Sequence, residues 1–250
     1  MHKVPLGYAW RPKIFLYCYS VSALLVISLL WIASANIWRQ IDEAIFFSFN
    51  GSLSNSPIWA KFWGYLNIHE ANYAAGAIMV LILAWYFFQN KKHMMHERLS
   101  AVVAVALFVG LGVIVAKTGF RDFERYSPSL TLTPFMNLNM LIEGIDAKIQ
   151  SHHSFPGDHG VTTLIYSSLV ILLLKSRSLI LLATLFALAN NLPRLFSGAH
   201  WLSDVVVGGG AITLIILPFA VGTPILLYIE KLSEPLAKYA QKLLIRLRNN

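Results

Sequence analysis

The chain of 250 residues is 56% hydrophobic and only 13% charged, with 20 Lys and Arg against 12 Asp and Glu, and its mean hydropathy is +0.59. A water-soluble domain carries about 25% charged residues, so this composition excludes a soluble globule. The single cysteine, Cys18 within an apolar run, excludes a disulfide framework.

Apolar stretches near the ~20 residues needed to cross a bilayer fall at 14–34, 72–89, 100–116, 160–174, 179–193 and 204–229. The fold class predicted is therefore all-α, a polytopic membrane protein with six transmembrane helices. The first stretch follows Lys3, Arg11 and Lys13 and has no small-residue cleavage site, so it reads as a retained signal anchor. Residues 35–71 hold Asp42, Glu43 and the aromatics Phe46, Phe47, Phe49, Trp59, Phe62, Trp63 and Tyr65, which suits an interfacial re-entrant helix pair. Residues 117–158 form a polar loop. Pro218 and Pro224 kink or end the sixth span. Residues 1–229 thus read as one transmembrane catalytic domain. In the tail, 230–250, Leu232, Leu236, Tyr239, Leu243 and Leu247 recur at helical spacing among basic residues, as in an amphipathic helix on the membrane surface.

Lys and Arg set the orientation. With six spans, thirteen of them (Lys3, Arg11, Lys13, Lys91, Lys92, Arg98, Lys175, Arg177 and the five of the tail) share one face, and seven lie on the other. The richer face is cytoplasmic, and both termini lie there. The formal charge of +8 is then orientation and contact with anionic lipid, and no nucleic-acid partner is expected.

Three polar clusters fall on the opposite, outer face. Lys117 to Pro128, with Arg121 and Arg125, follows span three. Ser154-Phe-Pro156-Gly157-Asp158-His159-Gly160 precedes span four. Pro193-Arg194 through His200 to Asp204 bridges spans five and six. His200 and Asp204 stand at i and i+4 on one helical face, where a carboxylate can fix the ring tautomer and leave the other nitrogen nucleophilic. His159 opens span four behind Pro156 and Gly157, where backbone amides and the helix dipole converge, and is placed to act as general acid. Arg125 and Arg194 offer planar forks to phosphate oxygens. Phosphoryl transfer asks chiefly for positioning and charge neutralisation. Asp158 has two readings: it raises the basicity of His159, or it caps the helix of span four.

The pattern resembles the type 2 phosphatidic acid phosphatase superfamily, whose members carry Lys-x6-Arg-Pro, Pro-Ser-Gly-His and Ser-Arg-x5-His-x3-Asp on a six-helix core. Arg194, His200 and Asp204 match the third motif, with Pro193 in place of serine. Pro156 and His159 match the second, with Gly157 and Asp158 replacing Ser-Gly. The first is one residue longer here, from Lys117 to Arg125. The resemblance implies His200 as nucleophile, Asp204 as its orienter, His159 as acid/base, and phosphate binding by Arg125, Arg194, Gly157 and one of Lys117 and Arg121. It implies no metal and no cofactor. The stretches Arg-Tyr-Ser-Pro-Ser-Leu-Thr, Ser-Phe-Pro-Gly-Asp-His-Gly and Gly-Ala-His-Trp-x-x-Asp are similar to the branch acting on lipid A in Gram-negative bacteria. That implies undecaprenyl diphosphate as donor, lipid A as acceptor, membrane lipids as surroundings, and a periplasmic site in the inner membrane. Two alternatives stand beside it: a lipid phosphate phosphatase using water, and a transporter using His/Asp as a proton relay. The transporter requires polar residues near mid-span, which are sparse: Thr162, Thr163, Ser167, Ser168, Asn190 and Asn191.

Overall fold

The computed structural model describes residues 4–89, 94–120 and 123–249, and among these every regular element is helical. Lys3, Lys91, Lys92 and Arg121 lie outside the described residues. Among the described residues, five helices are long and apolar enough to cross a membrane: α1 (Pro12–Leu30), α4 (His69–Gln89), α5 (Met95–Gly119), α9 (Arg177–Phe196) and the segment Asp204–Val221. That segment begins as a π-helical turn and continues as α10 (Gly210–Val221). A sixth apolar helix is shorter, α8 (Asp158–Leu169) with its π-helical end to Leu174.

The polar residues of the first connection fold into α2 (Ile32–Gly51) and α3 (Pro57–Tyr65), separated by a 3-10 turn. Helix α2 starts one residue beyond α1, because Trp31 leaves the helical conformation (φ −74°, ψ 126°) and divides the predicted 14–34 stretch. Two single-turn helices, α6 (Pro128–Thr131) and α7 (Leu138–Leu141), lie in the polar loop.

The core lies where α5, α8, α9 and α10 meet, around Val105, Val161, Ile165, Leu169 and Ile216. Lipid is as apolar as leucine, so helices associate by packing and by interhelical hydrogen bonds worth roughly 0.6 kcal/mol each. The Tyr166 hydroxyl donates to the Met79 carbonyl at 2.9 Å, Ser167 to the Ala183 carbonyl at 2.8 Å, Asn191 to the Thr163 hydroxyl at 2.8 Å and Ser22 to the Ala211 carbonyl at 3.1 Å. Thr163, Ser167 and Asn191, three of the mid-span polar residues a relay would need, are spent on this packing.

The predicted sixth stretch ends at Val221 rather than at 229. Gly222, Thr223 and Pro224 turn the chain, and α11 (Ile225–Asn249) runs back along α5. Leu226, Ile229, Ser233 and Ala237 are the buried stripe of α11, while Leu232, Leu236 and Tyr239 stay exposed on another face. The N-terminal segment threads this turn. The Gly7 amide donates to the Val221 carbonyl at 3.0 Å, Leu226 to the Gly7 carbonyl at 2.9 Å and Arg11 to the Gly222 carbonyl at 2.8 Å.

At the other end of the bundle, the π-helical turn Asp204–Gly209 packs backbone against backbone on the Pro156 turn. A Cβ at Gly208 would stand 2.7 Å from the Pro156 Cα and 2.8 Å from its oxygen. Gly208→Ala is therefore expected to cost about 1–3 kcal/mol and to move His159 away from Asp204. Thermal unfolding together with turnover checks this, with Val206→Ala, at a 40% exposed neighbour, as the control that changes neither.

Candidate active site

The polar loop is tied to itself before it reaches the helices. Arg125 donates its amide to the His152 carbonyl at 3.1 Å, and the Ser154 amide donates to the Arg125 carbonyl at 2.8 Å, forming a short parallel bridge. This pairing fixes Arg125 beside the Ser154–Gly157 turn. Gly157 adopts φ +70°, a left-handed conformation suited to glycine, and α8 starts at the next residue. On the far side, Gly198 (φ +72°) reverses the chain after α9 and delivers His200 and Asp204 to the same spot.

His200 is 4% exposed, and its Nδ1 lies 2.7 Å from the Ser154 carbonyl oxygen. A carbonyl only accepts, so Nδ1 carries the proton and Nε2 carries a lone pair. Nε2 is buried without a hydrogen-bond partner among the described residues. The partner of Nδ1 is a backbone carbonyl rather than the carboxylate expected from the spacing. Asp204, expected to accept from the ring, has Oδ2 3.6 Å from Nδ1, beyond hydrogen-bond reach. Its oxygens instead accept from the Trp201 amide at 2.8 Å and from Arg125 at 2.5 Å. Asp204 remains close enough to stabilise positive charge on the ring.

Arg125 also departs from expectation. Its fork, read from sequence as a phosphate clamp, donates to Asp204, to Asp42 at 3.2 Å and to the Ser203 hydroxyl at 2.8 Å. The reason is charge. Asp42 and Asp204 are 3% and 0% exposed, and two buried carboxylates require a cation between them. Asp42 additionally accepts from the Ser203 amide at 2.8 Å and from its hydroxyl. Burial lifts the Asp42 carboxyl above the usual carboxylate range, against the pull of Ser203 and then of Arg125.

Arg194 is 3% exposed, and its fork is likewise occupied. It donates to the Asn67 carbonyl at 3.3 Å and to the Asn67 side-chain oxygen, to Asn72 Oδ1 at 2.7 Å, and to His159 Nε2 at 3.1 Å. Arginine cannot accept, so His159 Nε2 is an acceptor and carries no proton in this arrangement. This differs from the protonated general acid expected beside Asp158. Asp158 Oδ1 is 3.9 Å from His159 Nε2 and instead accepts from the His159 amide at 2.9 Å, at the positive end of α8. The Gly157 amide, expected on phosphate, donates to the Ser154 carbonyl at 2.9 Å.

A cleft of about 250 Å³ opens onto His200, lined also by Lys117, Lys148, His153, Gly157 and Asp158. Asp158 Oδ1 stands 4.0 Å from His200 Nε2. The structure thus brings Lys117, Arg125, Gly157, Asp158, His159, Arg194, His200 and Asp204 together, while Arg121 lies outside the described residues. Sequence reasoning missed Asp42, Asn67, Asn72, Ser154 and Ser203 as supports and Lys148 as a cleft cation. Removing the side chain of buried Asn67 is expected to loosen Arg194. Asn67→Ala should lower kcat/KM for a lipid diphosphate about 10- to 100-fold, the effect of leaving one buried charged donor unpaired, as steady-state phosphate release will show.

A histidine whose Nε2 is buried without a hydrogen-bond partner among the described residues, an arginine on a second histidine and two cleft lysines stand together at one end of the helical bundle. Residues 123–223 match the PAP2 superfamily. Over 206 residues, 80% of this chain and 84% of the relative, the protein is 29% identical to the lipid A 1-diphosphate synthase of Escherichia coli (strain K12). No solved structure matches the chain.

Proposed function

We propose that the protein transfers a phosphate from undecaprenyl diphosphate to the 1-phosphate of lipid A, through a phosphohistidine on His200, at the periplasmic face of the bacterial inner membrane. The observation that carries this reading is the state of His200: Nδ1–H held by the Ser154 carbonyl, and Nε2 buried without a hydrogen-bond partner among the described residues, in a residue that lines a cleft with two lysines. Attack by Nε2 on the terminal phosphorus gives a positively charged N-phosphoimidazole, and the Asp204 carboxylate 3.6 Å from Nδ1 stabilises that charge. Arg125 and Asp42 hold Asp204 and Ser203 in place. Lys117 and Lys148 neutralise the donor, and Arg194, fixed by Asn67 and Asn72, adds positive charge behind His159. The excess of Lys and Arg on the opposite face supports an outer position for this end of the bundle, and likeness to a lipid A 1-diphosphate synthase supports the acceptor.

The test uses purified protein and undecaprenyl diphosphate labelled in its terminal phosphate, with and without lipid A. Label recovered on lipid A is the expected result. Label released as inorganic phosphate at the same rate in both reactions would establish water as the acceptor and overturn the transferase reading.

A further inference from the structure

A second cavity, of about 390 Å³, lies at the other end of the bundle, within the roughly 300–1,000 Å³ of small-molecule sites. Glu97 in the first turn of α5 lines it, whereas Lys117 of the His200 cleft belongs to the last turn of the same helix. Leu6 of the N-terminal segment, Leu173 at the π-helical end of α8 and Leu226 at the start of α11 contribute apolar wall. Two further polar side chains complete the lining, Tyr8 and Lys175.

These polar groups are held in place. Glu97 accepts from the Met94 amide at 2.9 Å, and a carboxylate has about four lone-pair sites in all. The Tyr8 hydroxyl donates to Glu230 Oε2 at 2.8 Å, and Glu230 Oε1 lies 3.0 Å from His96 Nε2. Burial, and then the bond to Glu230, raise the Tyr8 phenol above its ordinary range, so the hydroxyl stays protonated and its oxygen can accept from another donor. Lys175 follows Leu174 with φ +50° and is alone among the described non-glycine residues in having a positive φ. Glycine usually fills that conformation after a helix; here it carries a cation. The cavity thus offers acceptors at Glu97 and Tyr8, an ammonium at Lys175, and leucine between them.

We propose that this cavity binds one phosphatidylethanolamine of the inner leaflet, with the lipid ammonium on Glu97 and Tyr8, its phosphodiester on Lys175 and its chains leaving along the leucine wall. The proposal is independent of the chemistry at His200. The leaflet follows from the excess of Lys and Arg at this end, and a basic pocket among spans on that side suits a lipid headgroup. The headgroup follows from the charges. An anionic lipid such as phosphatidylglycerol satisfies Lys175 but brings a negative charge, and no positive one, towards Glu97. Phosphatidylcholine carries both charges, yet its quaternary nitrogen has no N–H to donate. A primary ammonium has three. Bound in this way, the lipid ties the N-terminal segment to α5, α8 and α11.

Native mass spectrometry tests this on the full-length protein released from nanodiscs that hold phosphatidylethanolamine, phosphatidylcholine and phosphatidylglycerol in equal amounts. One phosphatidylethanolamine per chain should be retained, at least about 10-fold in excess over phosphatidylcholine, the scale of one hydrogen bond to a charged group. Glu97→Gln keeps an oxygen for the Met94 amide and should bring these two lipids level. Lys175→Gln should lower retention of both by about 10-fold and leave their ratio unchanged. Thermal melts show that each variant is folded; should one fail to fold, the parent's ratio and the other variant decide. Equal retention of the three lipids by the parent, a preference for phosphatidylglycerol, or a preference for phosphatidylethanolamine that survives Glu97→Gln would overturn the proposal.

Discussion

His200→Ala is expected to lower phosphoryl transfer by ~10,000-fold or more, the scale on which deleting a covalent nucleophile acts, with little change in folding. The two halves of that expectation have separate causes. Nε2 makes no hydrogen bond among the described residues, so no described partner is orphaned when it is removed. The Ser154 carbonyl, which loses Nδ1–H, keeps the Gly157 amide at 2.9 Å, and Asp204 keeps Arg125 and the Trp201 amide. A thermal melt within a few degrees of the parent should therefore accompany the loss of turnover. Brief exposure to donor labelled in its terminal phosphate should leave acid-labile label on the parent protein and none on the variant. Retained turnover in His200→Ala would sink the covalent mechanism.

The second large effect concerns stability. Arg125→Met is expected to destabilise the protein by about 3–5 kcal/mol, the cost of leaving buried charge uncompensated. The side chain is only partly exposed, at 24%, while Asp42 and Asp204 are 2% and 0% exposed at their side chains. Removing the cation leaves two carboxylates facing each other with hydrogen bonds from Ser203 and Trp201 but no opposite charge. The combined Arg125→Met, Asp42→Asn protein should recover part of the loss, because one of the stranded charges is gone and the amide oxygen still accepts from Ser203. Denaturant unfolding of the two variants decides it. If the double variant is no more stable than the single one, the attraction between Asp42 and Arg125 is not what holds this corner together.

The contrast between these two residues shows how far the sequence could be read. The apolar stretches, the three polar clusters and their meeting at one end of the bundle follow from hydropathy, loop charge and spacing, which are local signals. The partners of the clustered residues do not. Arg125 meets Asp42 across 83 positions of chain, and Asp42 lies in a helix whose aromatics suggested only an interface. Its one available signal was an acidic residue amid apolar neighbours, which in a membrane chain asks for a cation. The groups that fix His200 and part of Arg194 are backbone carbonyls of Ser154 and Asn67, and a carbonyl has no sequence signature at all. The i,i+4 spacing of His200 and Asp204 correctly brought the two together, but the carboxylate turned to the Trp201 amide. The end of the sixth span at Val221 was legible in principle, since Gly222 and Pro224 are turn residues; the apolar residues beyond them masked the break because they face α5.

The threading of Gly7 through the turn between α10 and α11 sets the order in which this protein can be completed. Ribosomal synthesis delivers α1 to the membrane first, yet the backbone groups that receive Gly7 and Arg11 belong to residues 221–226, and Ser22 of α1 bonds to Ala211. The earliest helix must therefore wait, unpartnered on that side, until almost the whole chain has been made. The catalytic corner waits with it, since Asp42 finds Ser203 and Arg125 finds Asp204 only after α10 has entered. A nascent chain halted before residue 200 holds Arg125 and His159 but neither His200 nor Asp204, so this corner is complete only once the last span has closed against the first.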